Sequence, residues 1–435
     1  MKISIFGLGY VGCTVAACLA KEGHDIIGVD INSQKIDMIR QGKIPFKEAG
    51  LEKIIKDMIK RRKLKATFNF KKAVKTTNIS IICVATPVRK SGALNLDSVI
   101  KVAKEIGETI RHKKSFHTIC IKSTVLPTTN RKVAKVIAEI SSKKNNKDFC
   151  IISNPEFLRE GHAVKDYYNA PFVVVGGECK KGINIVKKMH ANLNIPIEIV
   201  APEVAEMVKY VSNIYHALKI SFANQISEIC QKLETDSYEV MELFNKDKHS
   251  NISCRYLKPG FAYGGSCLPK DIEALLYSIK RANIHAPLLS SIKETNEKQK
   301  HKFTSLLIKL KKKKVGVIGL SFKYGTDDIR NSPIIDVMEK LIKKGFEFKV
   351  FDKHLILDRL IGTNREYLKS KNFILADLMT EDINDILKRS EIIVVHHKIQ
   401  SLIPQLMHIP RNKIIVDLAY IKELRRKQNY IGINW

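Results

Sequence analysis

The opening "KISIFGLGYVG" runs an apolar segment into Gly7-x-Gly9-x-x-Gly12, and the next apolar segment, "IIGVD", closes on Asp30. The first glycine of such a pattern permits a tight turn, the second lets backbone approach a pyrophosphate, and the third lets a helix pack closely on its strand. The N–H groups at the start of that helix favour an anion, and an acid at the following strand end accepts hydrogen bonds from a ribose diol. Asp30 would also repel a 2′-phosphate. The pattern therefore predicts a strand–turn–helix fold binding a dinucleotide, NAD rather than NADP.

At 435 residues the chain is too long for one ordinary core. Up to about residue 200, short runs rich in isoleucine and valine ("KISIFGLG", "DIIGVDI", "ISIICVAT", "TICIKST", "FCIISNP") alternate with helical patterns, which predicts a parallel sheet covered on both faces. From Pro202 the pattern becomes one long helix to about Leu233, then further helices to about residue 310. At Lys311 the strand–helix alternation restarts with "KKKKVGVIGLSF". The expected fold class is α/β: two Rossmann-like doubly wound domains, 1–201 and 311–435, joined by a long central helix and helical core, 202–310.

In the long helix, Lys209, Asn213, His216 and Asn224 follow one another at steps of four, three and eight, which aligns them on one narrow face. Val204, Val208, Val211, Ile214, Leu218, Phe222 and Ile226 surround that stripe, so the helix is expected to be buried on most sides. A buried lysine with two amides and an imidazole needs partners, supplied by a polar ligand or by an internal hydrogen-bond network. Thr86 and Thr124 fall at strand ends, where ligands bind in doubly wound sheets. "NPEFLREG" offers Glu156, Arg159 and Glu160, and "GLSFKYGTDDIRNSP" offers Lys323, Asp327, Asp328 and Arg330; alone, the first run more commonly means a helix start with acidic first-turn residues, and the second also reads as a charged turn.

Nine cysteines without zinc-type or disulfide-type pairing predict no metal site and a reducing, cytoplasmic setting. Most stand in apolar segments, as small buried hydrophobes do. Cys267, in "AYGGSCLPKD", is dressed differently. Lys270 and the turn before the "PKDIEALL" helix could lower its pKa, and Gly264 and Gly265 would let substrate approach the backbone. A thiol nucleophile beside NAD suggests an alcohol oxidised twice, through a thiohemiacetal and a thioester. The formal net charge of +31 would attract polyanions, yet no nucleic-acid-binding module accompanies it, and no apolar run approaches the ~18 residues of a membrane span. Nucleic-acid and membrane partners are not expected.

Taken together, "ISIFGLGYVG", "GHDIIGVDIN", "STVLP", "NPEFLRE", "EVAEMVKY", "FANQI", "PGFAYGGSCLPKD", "GLSFKYGTDDIRNSP" and the closing "GINW" resemble the UDP-glucose/GDP-mannose dehydrogenase family of nucleotide-sugar 6-dehydrogenases, end to end. The resemblance implies a four-electron oxidation of GDP-mannose to GDP-mannuronate with two NAD, as in alginate precursor synthesis. The rival substrate is UDP-glucose, and a binding module without turnover is a reading from another class. By resemblance Cys267 is the nucleophile, Lys209, Asn213 and Asp271 hold and polarise intermediates, and Glu160 serves substrate binding or hydrolysis. NAD would contact Tyr10, Val11, Asp30, Lys35, Thr86, Thr124, Lys270 and Arg330 besides the three glycines. The nucleotide sugar would contact Glu160, Lys209, Asn213, His216, Asn224, Tyr256, Phe261, Gly264 and Lys323. The resemblance further implies a homodimer sharing the long helix, with assembly beyond the dimer left open. Arg255 and Lys258 stand where the family pattern has a tyrosine and an arginine, and lysine does not reproduce a bidentate guanidinium contact.

Overall fold

The computed structural model describes residues 1–248, 256–371 and 375–434; Cys254 and Arg255 lie outside them. The chain divides into two compact units, Met1–Ser212 with Glu273–Ser278, and Asn213–Ile272 with Ile279–Trp435.

In the first unit, strands β1 (Lys2–Phe6), β2 (Asp25–Val29), β3 (Leu64–Thr67), β4 (Ile79–Ile82), β5 (His117–Ile121), β6 (Phe149–Ser153), β7 (Val173–Gly176) and β8 (Ile197–Val200) form one sheet. Its order is β3-β2-β1-β4-β5-β6-β7-β8. All pairs are parallel except β6 with β7. The apolar runs are continuous rather than alternating because helices cover both faces, and β4 and β5 are buried along their whole length. The chain reverses direction across the sheet between β1 and β4, so the loops after Phe6 and Ile82 flank the crevice where such sheets bind ligands.

The second unit holds a parallel sheet of β9 (Lys314–Ile318), β10 (Glu347–Phe351), β11 (Ile392–Val395), β12 (Ile414–Asp417) and β13 (Tyr430–Gly432), ordered β10-β9-β11-β12-β13. This 2-1-3-4-5 order is the other common doubly wound arrangement, with its reversal between β9 and β11.

The central helix spans Pro202–Lys232. Proline at its first position loses no helical bond, and past its end Asp236 caps the next helix, Ser237–Phe244, by accepting the Tyr238 and Glu239 N–H groups. The helix is buried or half-buried around most of its circumference, as expected, except along one side. Val204, Val211, Tyr215, Phe222 and Ile229 are 53%, 54%, 46%, 41% and 54% exposed. Their spacing places them along one side of the helix, so the apolar surface divides into a stripe packed inside the chain and a stripe left facing outward.

Candidate active site

The first unit builds a nucleotide loop. Gly7 has φ +94°, and a Cβ there would lie 2.8 Å from the Cys83 carbonyl oxygen; one on Gly12 would lie 1.7 Å from the Gly7 carbonyl oxygen. Gly9 faces open space within 4 Å, and the helix Tyr10–Lys21 starts behind it with no side-chain cap. Its first N–H groups and the open approach over Gly9 fit the pyrophosphate of a dinucleotide. Asp30 accepts the Leu8 N–H at 2.7 Å and the Asn32 N–H at 2.9 Å, with Lys35 Nζ 3.6 Å away. It is thus first a clamp for the turn. Tyr10 lies tilted against Phe46 with ring centroids 4.0 Å apart, and Val11 packs against the core.

Thr86 Oγ1 donates to the Thr124 carbonyl at 2.8 Å, tying together the loops that follow β4 and β5. Lys209, on the central helix, reaches Glu156 at 3.2 Å, both side chains less than a tenth exposed, with the Phe157 ring 5.4 Å below the ammonium. Glu156, one of the three charged residues that "NPEFLREG" offers, is the carboxylate that meets the lysine, a pairing that nothing in the run itself specifies. Glu160 sits half-buried in a loop fixed from two sides. Arg159 is paired to Asp166, and Glu48 accepts the Gly161 and Ala163 N–H groups at 2.8 and 2.9 Å. Thr124, Glu206 and Lys209 line a cavity of about 10 Å³, on the scale of one water. Burial lifts Glu206 to about 7 even though it accepts the Asn130 N–H at 2.7 Å, and burial lowers the Lys122 ammonium. Neither Glu48 nor Glu206 was foreseen, because both act on backbone distant in sequence.

In the second unit Asn213 Nδ2 donates to Asp271 Oδ2 and Lys270 Nζ to Asp271 Oδ1, each at 2.5 Å. Asp271 is 1% exposed. Cys267 directly precedes the helix Leu268–Arg281 and is exposed, its Sγ 3.6 Å from Ser266 Oγ. A helix N-terminus favours a thiolate. The buried thiols differ in kind: desolvation pushes Cys18, Cys83 and Cys120 up to about 12. His216 stacks on Tyr256 with centroids 4.5 Å apart, and Lys258 lies 5.8 Å over the Tyr238 ring. Asn224 accepts the Gly260 N–H, and Phe261 packs edge-on against Phe303.

Gly264 and Gly265 have a packing reason besides the one expected. A Cβ on Gly264 would lie 2.3 Å from the Asn331 carbonyl oxygen, and one on Gly265, at φ +90°, 2.8 Å from the Phe322 ring. Protein fills the side on which a Cβ would stand, so packing requires these glycines whatever approaches their backbone. Lys323 and Arg330 share the loop after β9, where Arg330 forks onto Asp328 and also donates to Thr363.

The dinucleotide loop of the first unit is that of an NAD-dependent oxidoreductase, and the second unit carries Cys267, exposed at the start of a helix, as a candidate nucleophile. Models of the NAD-binding, central and UDP-binding domains of the UDP-glucose/GDP-mannose dehydrogenase family match residues 1–194, 203–298 and 316–423. The chain belongs to that family. It is 41% identical to a GDP-mannose 6-dehydrogenase of Pseudomonas aeruginosa, with all of both chains covered. It is 35% identical to a UDP-glucose 6-dehydrogenase of Bacillus subtilis, over 84% of this chain and 79% of that one. The solved structure of a UDP-glucose dehydrogenase from Pyrobaculum islandicum is also similar: TM-score 0.90 and 31% identity, covering 100% of this chain and 97% of that one.

Proposed function

We propose that the protein oxidises GDP-mannose to GDP-mannuronate with two NAD. The observation that carries this reading is full-length identity of 41% to a GDP-mannose 6-dehydrogenase, against 35% over 84% of the chain to a UDP-glucose enzyme. Bound NAD supplies the hydride acceptor for each oxidation. Gly7, Gly9, Gly12 and the start of the helix Tyr10–Lys21 hold its pyrophosphate, and Asp30 its ribose. Tyr10, Val11, Lys35, Thr86, Thr124, Lys270 and Arg330 are assigned to the same cofactor.

Cys267 adds through sulfur to the aldehyde left by the first oxidation, giving a thiohemiacetal; the second oxidation leaves a thioester. Water opens the thioester, returning the thiol and releasing the carboxylate. Lys209, held by Glu156, stabilises the oxygen that gains negative charge when sulfur adds. Asn213 and Asp271 orient the same group, and Glu160 serves binding or hydrolysis. His216, Asn224, Tyr256, Lys258, Phe261, Gly264 and Lys323 are assigned to the nucleotide sugar; Arg255 belongs to the same proposal. The segments 1–201, 202–310 and 311–435 act as cofactor, central and nucleotide-sugar domains.

The working form is a homodimer paired along the central helix. Its exposed stripe of Val204, Val211, Phe222 and Ile229 needs an apolar cover, which a second copy provides. Val211→Asp should yield a monomer by light scattering. No described helix is long and apolar enough to cross a membrane, and the described cysteines are free thiols, which supports a cytoplasmic setting.

Incubating the purified protein with NAD and each nucleotide sugar tests the substrate. NADH release with GDP-mannose and none with UDP-glucose is expected; the reverse would assign UDP-glucose.

A further inference from the structure

The segment Gly260–Gly265, which leads to Cys267, has no helix or strand of its own. Its backbone polar groups need partners from elsewhere, and four asparagines reach it. Asn224 Oδ1 accepts the Gly260 N–H at 3.0 Å, while the Asn434 amide donates to the carbonyl of that residue. Asn296 grips the Tyr263 residue at both its backbone groups: Oδ1 accepts the N–H at 2.8 Å and Nδ2 donates to the carbonyl at 3.0 Å. Asn331 Nδ2 donates to the Gly265 carbonyl at 3.1 Å. The four come from the central helix, the far end of the described chain, the helix Pro287–Lys309 and the loop before Pro333.

Asn434 is itself fixed. Its Oδ1 accepts from Lys302 at 3.0 Å and its carbonyl from Ser227 at 2.6 Å, and the residue is fully buried. Asn296 is 7% exposed. A carboxamide offers a donor and an acceptor without charge, so it can mirror a peptide while placing no carboxylate beside a phosphate-bearing ligand. A loop held in this way is ordered before ligand arrives and loses little freedom on binding.

We infer that these side chains form an asparagine cradle that sets the backbone of Gly260–Gly265 for the nucleotide sugar. Asn296 and Asn434 are positioning residues in it, acting through the loop and not by touching ligand. The inference rests on the functional reading above, which assigns Phe261 and Gly264 to the nucleotide sugar.

The test measures binding without turnover. GDP-mannose is titrated against iodoacetamide labelling of Cys267, read by peptide mass spectrometry, in the full chain and in Asn296→Ala and Asn434→Ala. The half-protecting concentration should rise about tenfold in each, the equivalent of about 1.4 kcal/mol, while NAD affinity by calorimetry stays within about twofold. Asn429→Ala, which removes contacts to Pro410 and Lys413 instead, controls for lost stability and should leave both values unchanged. If alanine at 296 fails to fold, Asn296→Asp keeps the acceptor and the size, loses the donor, and should show the same selective loss. Protection of the variants at the wild-type concentration overturns the cradle alone. A wild-type thiol that neither GDP-mannose nor UDP-glucose protects overturns the functional reading, and the cradle with it.

Discussion

The loops after β1 and β9 are built on one skeleton. Gly7 and Gly319 have φ +94° and +95°, and each donates its N–H at 2.8 Å to the last residue of the neighbouring strand, Val29 or Phe351. Leu8 and Leu320 then donate to Asp30 and Asp352 at 2.7 and 2.8 Å, and each acid also accepts an N–H from two residues further on. The two part after the leucine. Gly9 opens directly into a helix, which Gly12 lets pack against the Gly7 carbonyl. Ser321 instead folds back onto Asp352, Tyr324 stands where Gly12 would, and the next helix waits until Pro333. Proline there offers no N–H to an anion. The acid at the second strand end is therefore a turn clamp in both places, and a pyrophosphate site requires the glycines and the immediate helix as well.

Substitutions matched across the two loops would break or sharpen this contrast. Gly12→Ala should have the largest effect, because its Cβ meets backbone at 1.7 Å and neither partner can yield cheaply. Loss of measurable NAD binding by calorimetry, with a lowered melting temperature, is the expected outcome. Asp30→Asn should weaken NAD by about tenfold, whereas Asp352→Asn should leave NAD affinity unchanged and cost about 1–3 kcal/mol of stability in urea. Equal loss of NAD affinity in both would erase the distinction drawn here. Smallest of the set, Tyr324→Ala should leave NAD affinity within about twofold, since its ring is 47% exposed.

A pH experiment probes the first unit alone. Glu206 holds its proton up to about 7 in the folded chain, but an unfolded glutamate releases it near 4.5. Between those values the folded state binds the extra proton, so stability from this group is full at low pH and declines as pH rises through 7. Glu206→Gln should therefore gain little at pH 5 and about 1–3 kcal/mol at pH 8. A gain of the same size at both values would mean that the carboxyl titrates normally.

Much of this architecture was legible in residues. Isoleucine–valine runs located the strands, the glycine fingerprint located the cofactor loop, and the stretch after Pro202 located the central helix, because each carries a period or a local steric demand. The side-chain contacts were not legible. Glu48, Glu206, Asn296 and Asn434 satisfy backbone far away in sequence, which leaves no periodic trace. The exposed stripe of Val204, Val211 and Phe222 was read as core because periodicity marks apolar surface without saying what covers it. The packing demand that Asn331 and Phe322 place on Gly264 and Gly265 leaves no local trace either, because both partners lie far along the chain.

The central claim is that one thiol lets one site oxidise an alcohol twice. Counting NADH released per GDP-mannose consumed, in the wild type and in Cys267→Ser, tests it most directly. Two NADH per sugar with GDP-mannuronate as product, and no uronate from the serine variant, is the predicted result. A serine variant that still released two NADH per sugar would contradict it and remove Cys267 from the reaction.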